Sequence, residues 1–122
     1  MKPILAADPH AGYLAHKTEI SAAIERVLDS GRYILGADVA AFEQEWAEYL
    51  HLGHAVGVAN GTDALELALR ALEIGHGDIV VTTSNTAVAT VAAIERAGAK
   101  ALLVDVDPDT LTLSPESLAE AL

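Results

Sequence analysis

Three short apolar runs, His54–Ala59, Asp78–Thr82 and Ala101–Asp105, constrain this chain more than any other feature. Within each, the apolar residues follow one another with no polar alternation. A strand that meets water on one face alternates, whereas a strand covered on both faces reads as a continuous apolar run. Each of the first two runs is followed by a break and then a helical pattern. Asn60-Gly61-Thr62-Asp63 precedes Leu65, Leu69 and Leu72 on one helical face, with Asp63 and Glu66 spaced as an acidic capping pair. Gly75 and Gly77 close that stretch. Ser84, Asn85 or Thr86 is placed to cap the next helix, which runs to Ala97 before Gly98. Strands alternating with helices predict an α/β class with a mostly parallel sheet.

The first part of the chain has a different grammar. Ile20, Ile24, Val27 and Leu28 fall on one helical face, and Gly31 stands where a left-handed cap belongs. Asp38 is placed to cap a second helix, striped by Val39, Phe42, Trp46 and Leu50 and ended by Gly53. The expected organisation is therefore a helical segment over 1–53 and an α/β part over 54–122. Ser114-Pro115-Glu116 opens a last helix, with serine as cap, proline in the first turn and an acid at the positive end. The chain stops about two turns later with no stop signal. The expectation is a cut through a longer sequence.

Composition narrows the function classes. Seven basic against 18 acidic side chains give a net charge of −11 over 122 residues. That sign opposes the counterion release behind nucleic-acid affinity, and it opposes anionic membrane surfaces. With no cysteine, disulfides, thiolate metal sites and cysteine nucleophiles are excluded. Asp8 and Pro9 interrupt the short apolar start, which is too brief for a signal peptide. A cytoplasmic location is the default expectation.

Four patterns are candidates for chemistry. In the break at Gly61, a glycine after an apolar run lets a ligand approach the backbone. The first amides of the following helix, and its dipole, then favour an anion there, and Thr62 adds a hydroxyl donor. The loop has no Walker lysine and is not a G-x-G-x-x-G turn. Asp105, Asp107, Asp109 and Glu116 have the spacing of calcium-loop acids, but Thr110 stands where that loop needs glycine, and a strand precedes it. Pro108 and Asp109 read more simply as turn formers. His51 and His54 have no third ligand nearby in sequence, so a zinc site lacks support. Lys2, Lys17 and Lys100 are not in buried loops that would lower a lysine pKa.

Ser30-Gly31-Arg32-Tyr33-Ile34-Leu35-Gly36, Phe42-Glu43 with Ala47-Glu48-Tyr49-Leu50, and Asn60-Gly61-Thr62-Asp63-Ala64-Leu65 follow one another along the chain. Gly75-His76-Gly77-Asp78-Ile79-Val80, Ser84 to Thr90, Ala97-Gly98-Ala99 and Val104 to Asp107 complete the order. The ordered set carries a resemblance to the DegT/DnrJ/EryC1/StrS family of pyridoxal 5'-phosphate (PLP)-dependent aminotransferases. It implies the N-terminal part of an aspartate aminotransferase-like (fold type I) large domain, left incomplete. In that fold the second and third strands are neighbours, and the first lies elsewhere in the sheet. Residue by residue, the resemblance implies that Gly61, Thr62 and Asp63 hold the cofactor phosphate and that Tyr33 borders the substrate site. Ala87 stands where many members stack an aromatic residue on the pyridine ring. The lysine that links the cofactor, and the aspartate that pairs with the pyridine nitrogen, are expected beyond Leu122. The implied reaction is amino transfer to a nucleotide-linked keto-sugar from an amino-acid donor, glutamate, in a homodimer. The chain alone is then expected to be inactive and prone to self-association. Two other readings stay open: a small anion-binding α/β domain without chemistry, and a phosphatase-like domain using Asp105 and Asp107.

Overall fold

The computed structural model describes residues 6–122. The chain divides into two compact units, Met1–Gly57 and Val58–Leu122.

The described part of the first unit is helical. It contains α1 (Pro9–Ala15), α2 (Lys17–Ser30) and α3 (Ala37–Tyr49). The helix α1 lies ahead of the first helix read from the sequence. Its signal is Asp8-Pro9: the Asp8 carboxylate accepts from Ala11 N–H at 3.1 Å, and Pro9 takes the first turn, where a missing N–H costs nothing. Gly31 ends α2 at φ 64°, the left-handed cap its position predicts. Asp38 does not cap α3. The cap is Gly36, and Asp38 sits in the first turn, where its Oδ1 accepts from Arg26 Nε at 2.9 Å and so ties α3 to α2. Nor does Gly53 end α3. His51 turns left-handed at φ 55°, and Leu52 N–H closes the end on Ala47 O at 2.9 Å.

The segment His54–Ala59 forms no strand. A ladder needs a neighbour, and among the described residues none lies beside it. The amide of Gly57 instead donates to Glu43 Oε1 at 2.6 Å, so a side chain replaces one bond of a sheet.

The second unit holds α4 (Gly61–Ala71), β1 (Ile79–Thr83), α5 (Val88–Ala97), β2 (Lys100–Val104) and α6 (Pro115–Ala121). The strands β1 and β2 pair in parallel, from Ile79 opposite Lys100 to Thr83 opposite Val104. This is the expected adjacency of the second and third apolar runs. The helix α5 makes the crossover and ends at Gly98, φ 93°. Ala93, Ile94 and Ala97 on α5 are buried, with Ala99 and Val104 beside them. Three alanines in this set let backbones pack closely, and α4 packs on α5. Ser114 caps α6 by accepting from Ser117 N–H at 3.1 Å, with Pro115 and Glu116 in the first turn, as read from the sequence.

Apolar surface is left uncovered in both units. Ile24, Leu28, Phe42 and Trp46 are exposed in the first, and Leu72, Val88 and Leu103 in the second. No helix among the described residues is long and apolar enough to cross a membrane.

Candidate functional site

The candidate site is the first turn of α4. Asn60 is the cap, in extended geometry at φ −163° and ψ 172°. Its Oδ1 accepts from Asp63 N–H at 2.9 Å, and its Nδ2 donates to Asp63 Oδ2 at 2.9 Å. The capping pair is therefore Asn60 with Asp63, not Asp63 with Glu66. The reason is spacing: a box joins the cap to the third helical residue, and the cap is Asn60. The amide of Ala64 donates to Asn60 O at 3.1 Å.

Of the four amides that begin the helix, two are thus satisfied internally. The amides of Gly61 and Thr62 have no partner among the described residues. A side chain built on Gly61 would meet nothing within 4 Å, and its φ is outside the left-handed region. The glycine is not required by the turn, so the space beside it is open to a ligand. Thr62 is partly buried, and its hydroxyl has no partner among the described residues. Two free N–H donors, a hydroxyl, open space and the positive end of a helix suit a phosphate dianion. A shallow cleft of about 360 Å³ adjoins this turn, lined by Val58, Ala59, Asp63, Glu66, Leu67 and Arg96.

The Asp63 carboxylate does not stand free. Besides Asn60, Arg96 Nη1 lies 3.5 Å from Asp63 Oδ1. Glu66 accepts from Arg70 Nε at 3.0 Å, and Arg96 Nε lies 2.8 Å from its Oε2 as an ion pair. Sequence reasoning placed Asn60 in the break without a capping role and Glu66 in a pair with Asp63, and it did not single out Arg70 or Arg96. The Asn-x-x-Asp spacing was a usable signal for Asn60. Arg96 has none, because it reaches α4 from another helix.

Ala87 is exposed and caps α5 without a side-chain hydrogen bond, just after the carboxyl end of β1. Ligands of parallel α/β sheets bind at that end of the strands. Tyr33 belongs to the first unit, in the connection between α2 and α3. It is 66% exposed, and its hydroxyl donates to Leu28 O at 3.4 Å.

The acids after β2 are spent on a turn. Asp107 Oδ1 accepts from Thr110 N–H at 2.8 Å, Thr110 Oγ1 at 3.0 Å and Asp109 N–H at 3.0 Å. The Thr110 bonds hold the Asp107 carboxyl below its ordinary pKa. Among the described residues no cluster of His, Asp or Glu is arranged to hold a metal ion, at this turn or at His51 and His54.

A model of the DegT/DnrJ/EryC1/StrS aminotransferase family matches residues 15–122. The chain belongs to this family. The dTDP-3-amino-3,4,6-trideoxy-alpha-D-glucose transaminase of Streptomyces venezuelae is 46% identical over 115 residues, which is 94% of this chain and 30% of that protein. The crystal structure of S. venezuelae DesV in complex with a ketimine intermediate superposes with a TM-score of 0.93 at 43% identity, over all of this chain and 33% of that one. NtdA from Bacillus subtilis, solved with bound cofactor PMP, superposes with a TM-score of 0.83 at 30% identity, over 88% of this chain and 25% of that one. This member of the family thus spans about 30% of the length of the curated relatives it matches. Its architecture is a partial α/β piece of the fold of PLP-dependent aminotransferases, with a two-stranded parallel sheet.

Proposed function

We propose that this chain supplies the phosphate-holding turn of a sugar aminotransferase that uses PLP. The Gly61 and Thr62 amides and the Thr62 hydroxyl donate to the cofactor phosphate, and Asp63 fixes the turn that presents them. Bound at this turn, the cofactor supplies the electron sink for amino transfer. The residues of this chain bind and orient it, and the α4 dipole favours its charge. Tyr33 borders the substrate. The substrate is a nucleotide-linked keto-sugar, in keeping with the dTDP-sugar named for the Streptomyces relative. The amino donor is glutamate, and the working enzyme is a cytoplasmic homodimer. Residues 1–53 form its N-terminal helical segment, and residues 54–122 begin its cofactor domain.

The observation that carries this reading is the pair of unpartnered amides at Gly61 and Thr62, beside open space, in a chain of this family. The 122 residues alone show no turnover, because none of Lys2, Lys17 and Lys100 corresponds to the family lysine that links the cofactor. Two experiments test the proposal. Calorimetric titration of the chain with pyridoxamine 5'-phosphate and with phosphate-free pyridoxamine avoids aldehyde chemistry at surface lysines. Binding that depends on the phosphate is expected, and equal binding of the two argues against the site. Second, residues 15–122 replace the matching segment of the Streptomyces transaminase. A folded chimera that aminates its keto-sugar supports the reading, and a folded chimera that takes up no cofactor refutes it.

A further inference from the structure

The ion pairs behind the candidate turn form one connected chain, and its position gives it a task. Arg96, in the last turn of α5, places Nε 2.8 Å from Glu66 Oε2 and Nη1 3.5 Å from Asp63 Oδ1 as ion pairs. Arg70 holds the other Glu66 oxygen from Nε at 3.0 Å, and its Nη2 donates to Arg96 O at 2.6 Å. Asn60 holds the other Asp63 oxygen at 2.9 Å. The chain of partners runs Arg70, Glu66, Arg96, Asp63, Asn60 and ends at the cap of the turn that presents the Gly61 and Thr62 amides. The Glu66 side chain is only 14% exposed, while Asp63 is 30% and the two arginines 52% and 56% exposed.

Two carboxylates face two guanidiniums, so the network is neutral. That matters because Asp63 lies next in sequence to Thr62. An unpaired carboxylate there would oppose a phosphate on the neighbouring amides, and the partly buried setting would screen the repulsion less than open water does. Both Asp63 oxygens are instead held by partners. A site on a helix end also depends on what fixes that end. Among the described residues, Arg96 is the one side chain that joins the α4 turn to a second element through two carboxylates.

We propose that Arg96 is a positioning residue for the phosphate turn. It anchors the first turns of α4 to α5, and it neutralises Asp63 so that an anion can sit on the Gly61 and Thr62 amides. The inference rests on the phosphate-binding reading above.

The test measures the affinity of the full 122-residue chain for pyridoxamine 5'-phosphate, with phosphate-free pyridoxamine as control and helical circular dichroism as the check on folding. Arg96→Ala is expected to weaken binding about tenfold, more steeply at low salt, with the control unchanged. Adding Asp63→Asn to Arg96→Ala is expected to recover affinity to within about threefold of the unsubstituted chain, because the exposed charge is gone. A merely structural role for Arg96 gives no such rescue, since the second substitution removes one more contact. Should Arg96→Ala lose its helical signal, Arg96→Lys replaces it. One ammonium cannot bridge two carboxylates as the guanidinium does, so about threefold weaker binding and the same rescue are expected. Unchanged affinity in Arg96→Ala, or a double variant as weak as the single, overturns the inference and leaves the phosphate site standing. If the unsubstituted chain itself does not distinguish the two probes, the site and the inference fall together.

Discussion

Substituting Gly61 by alanine separates a ligand-driven glycine from a fold-driven one, because the two give opposite signs. A methyl group at Gly61 meets no atom within 4 Å, and the backbone there is outside the left-handed region. Gly61 is the first residue of α4. Replacing glycine by alanine where the conformation already suits alanine stabilises by about 0.4–1 kcal/mol, through the unfolded chain. For a unit of this size, 1 kcal/mol moves the midpoint by roughly 4–8 °C, so a rise of about 2–8 °C is expected. Ligand binding should move the other way. The added methyl stands beside the free amide and crowds the approach of an oxygen that must come within about 3 Å of the nitrogen. Losing one hydrogen bond to a charged group costs about 1.5–3 kcal/mol, which is roughly a 10- to 150-fold weaker complex. Thermal melts by circular dichroism and calorimetric titration with pyridoxamine 5'-phosphate measure both quantities on one preparation. A higher midpoint with unchanged affinity would refute the argument that a ligand occupies the space at Gly61. A lower midpoint would refute the argument that the turn itself does not need glycine.

Three further outcomes follow. Asn60→Ala removes the cap of α4 and leaves the Asp63 amide unpaired, so a loss of about 0.5–2 kcal/mol is expected by chemical denaturation. A stability within error of the unsubstituted chain would contradict the capping role. Because the Asp107 carboxyl is held below its ordinary pKa in the folded chain, the unfolded state binds more protons between the two values. The contribution of Asp107 is therefore complete above about pH 4 and lost as pH falls through the lowered value. Carbon-13 titration of the Asp107 carboxyl should show the depressed midpoint, and the stability deficit of Asp107→Ala should shrink in acid. A midpoint at or above the ordinary value contradicts the turn geometry. Finally, the uncovered apolar faces predict concentration-dependent self-association and dye binding by the chain. A monomer with a sharp cooperative thermal transition by sedimentation and calorimetry would count against that.

What could be read from the sequence was what local physics decides. Continuous apolar runs announced β1 and β2 and their parallel pairing, and Gly31, Gly98 and Ser114 marked helix ends where the structure has them. The ordered motifs carried the family. Errors arose where one residue type has two uses. Asp38 has the chemistry of a cap but is held by Arg26, and Gly53 follows a helix that His51 has already ended. The run at His54–Ala59 has the composition of a strand, yet composition does not supply the neighbour a strand needs. At the candidate site, Gly61 and Thr62 were legible because donors at a helix start are a local matter. Arg96 was not, because its reach to Glu66 and Asp63 exists only once α5 lies on α4.

The pairing of β1 with β2 also has a consequence in time. The partners Ile79 and Lys100 are only about twenty residues apart, with α5 between them, and closing a loop of that length costs little more than closing a shorter one. Contacts this local form fast, whereas a ribosome adds about 5–20 residues per second. The β1–α5–β2 unit can therefore close while later parts of a polypeptide are still being made. Because α4 precedes α5 in the chain, it is already made when this unit closes, and closure is the step that brings Arg96 beside Glu66 and Asp63.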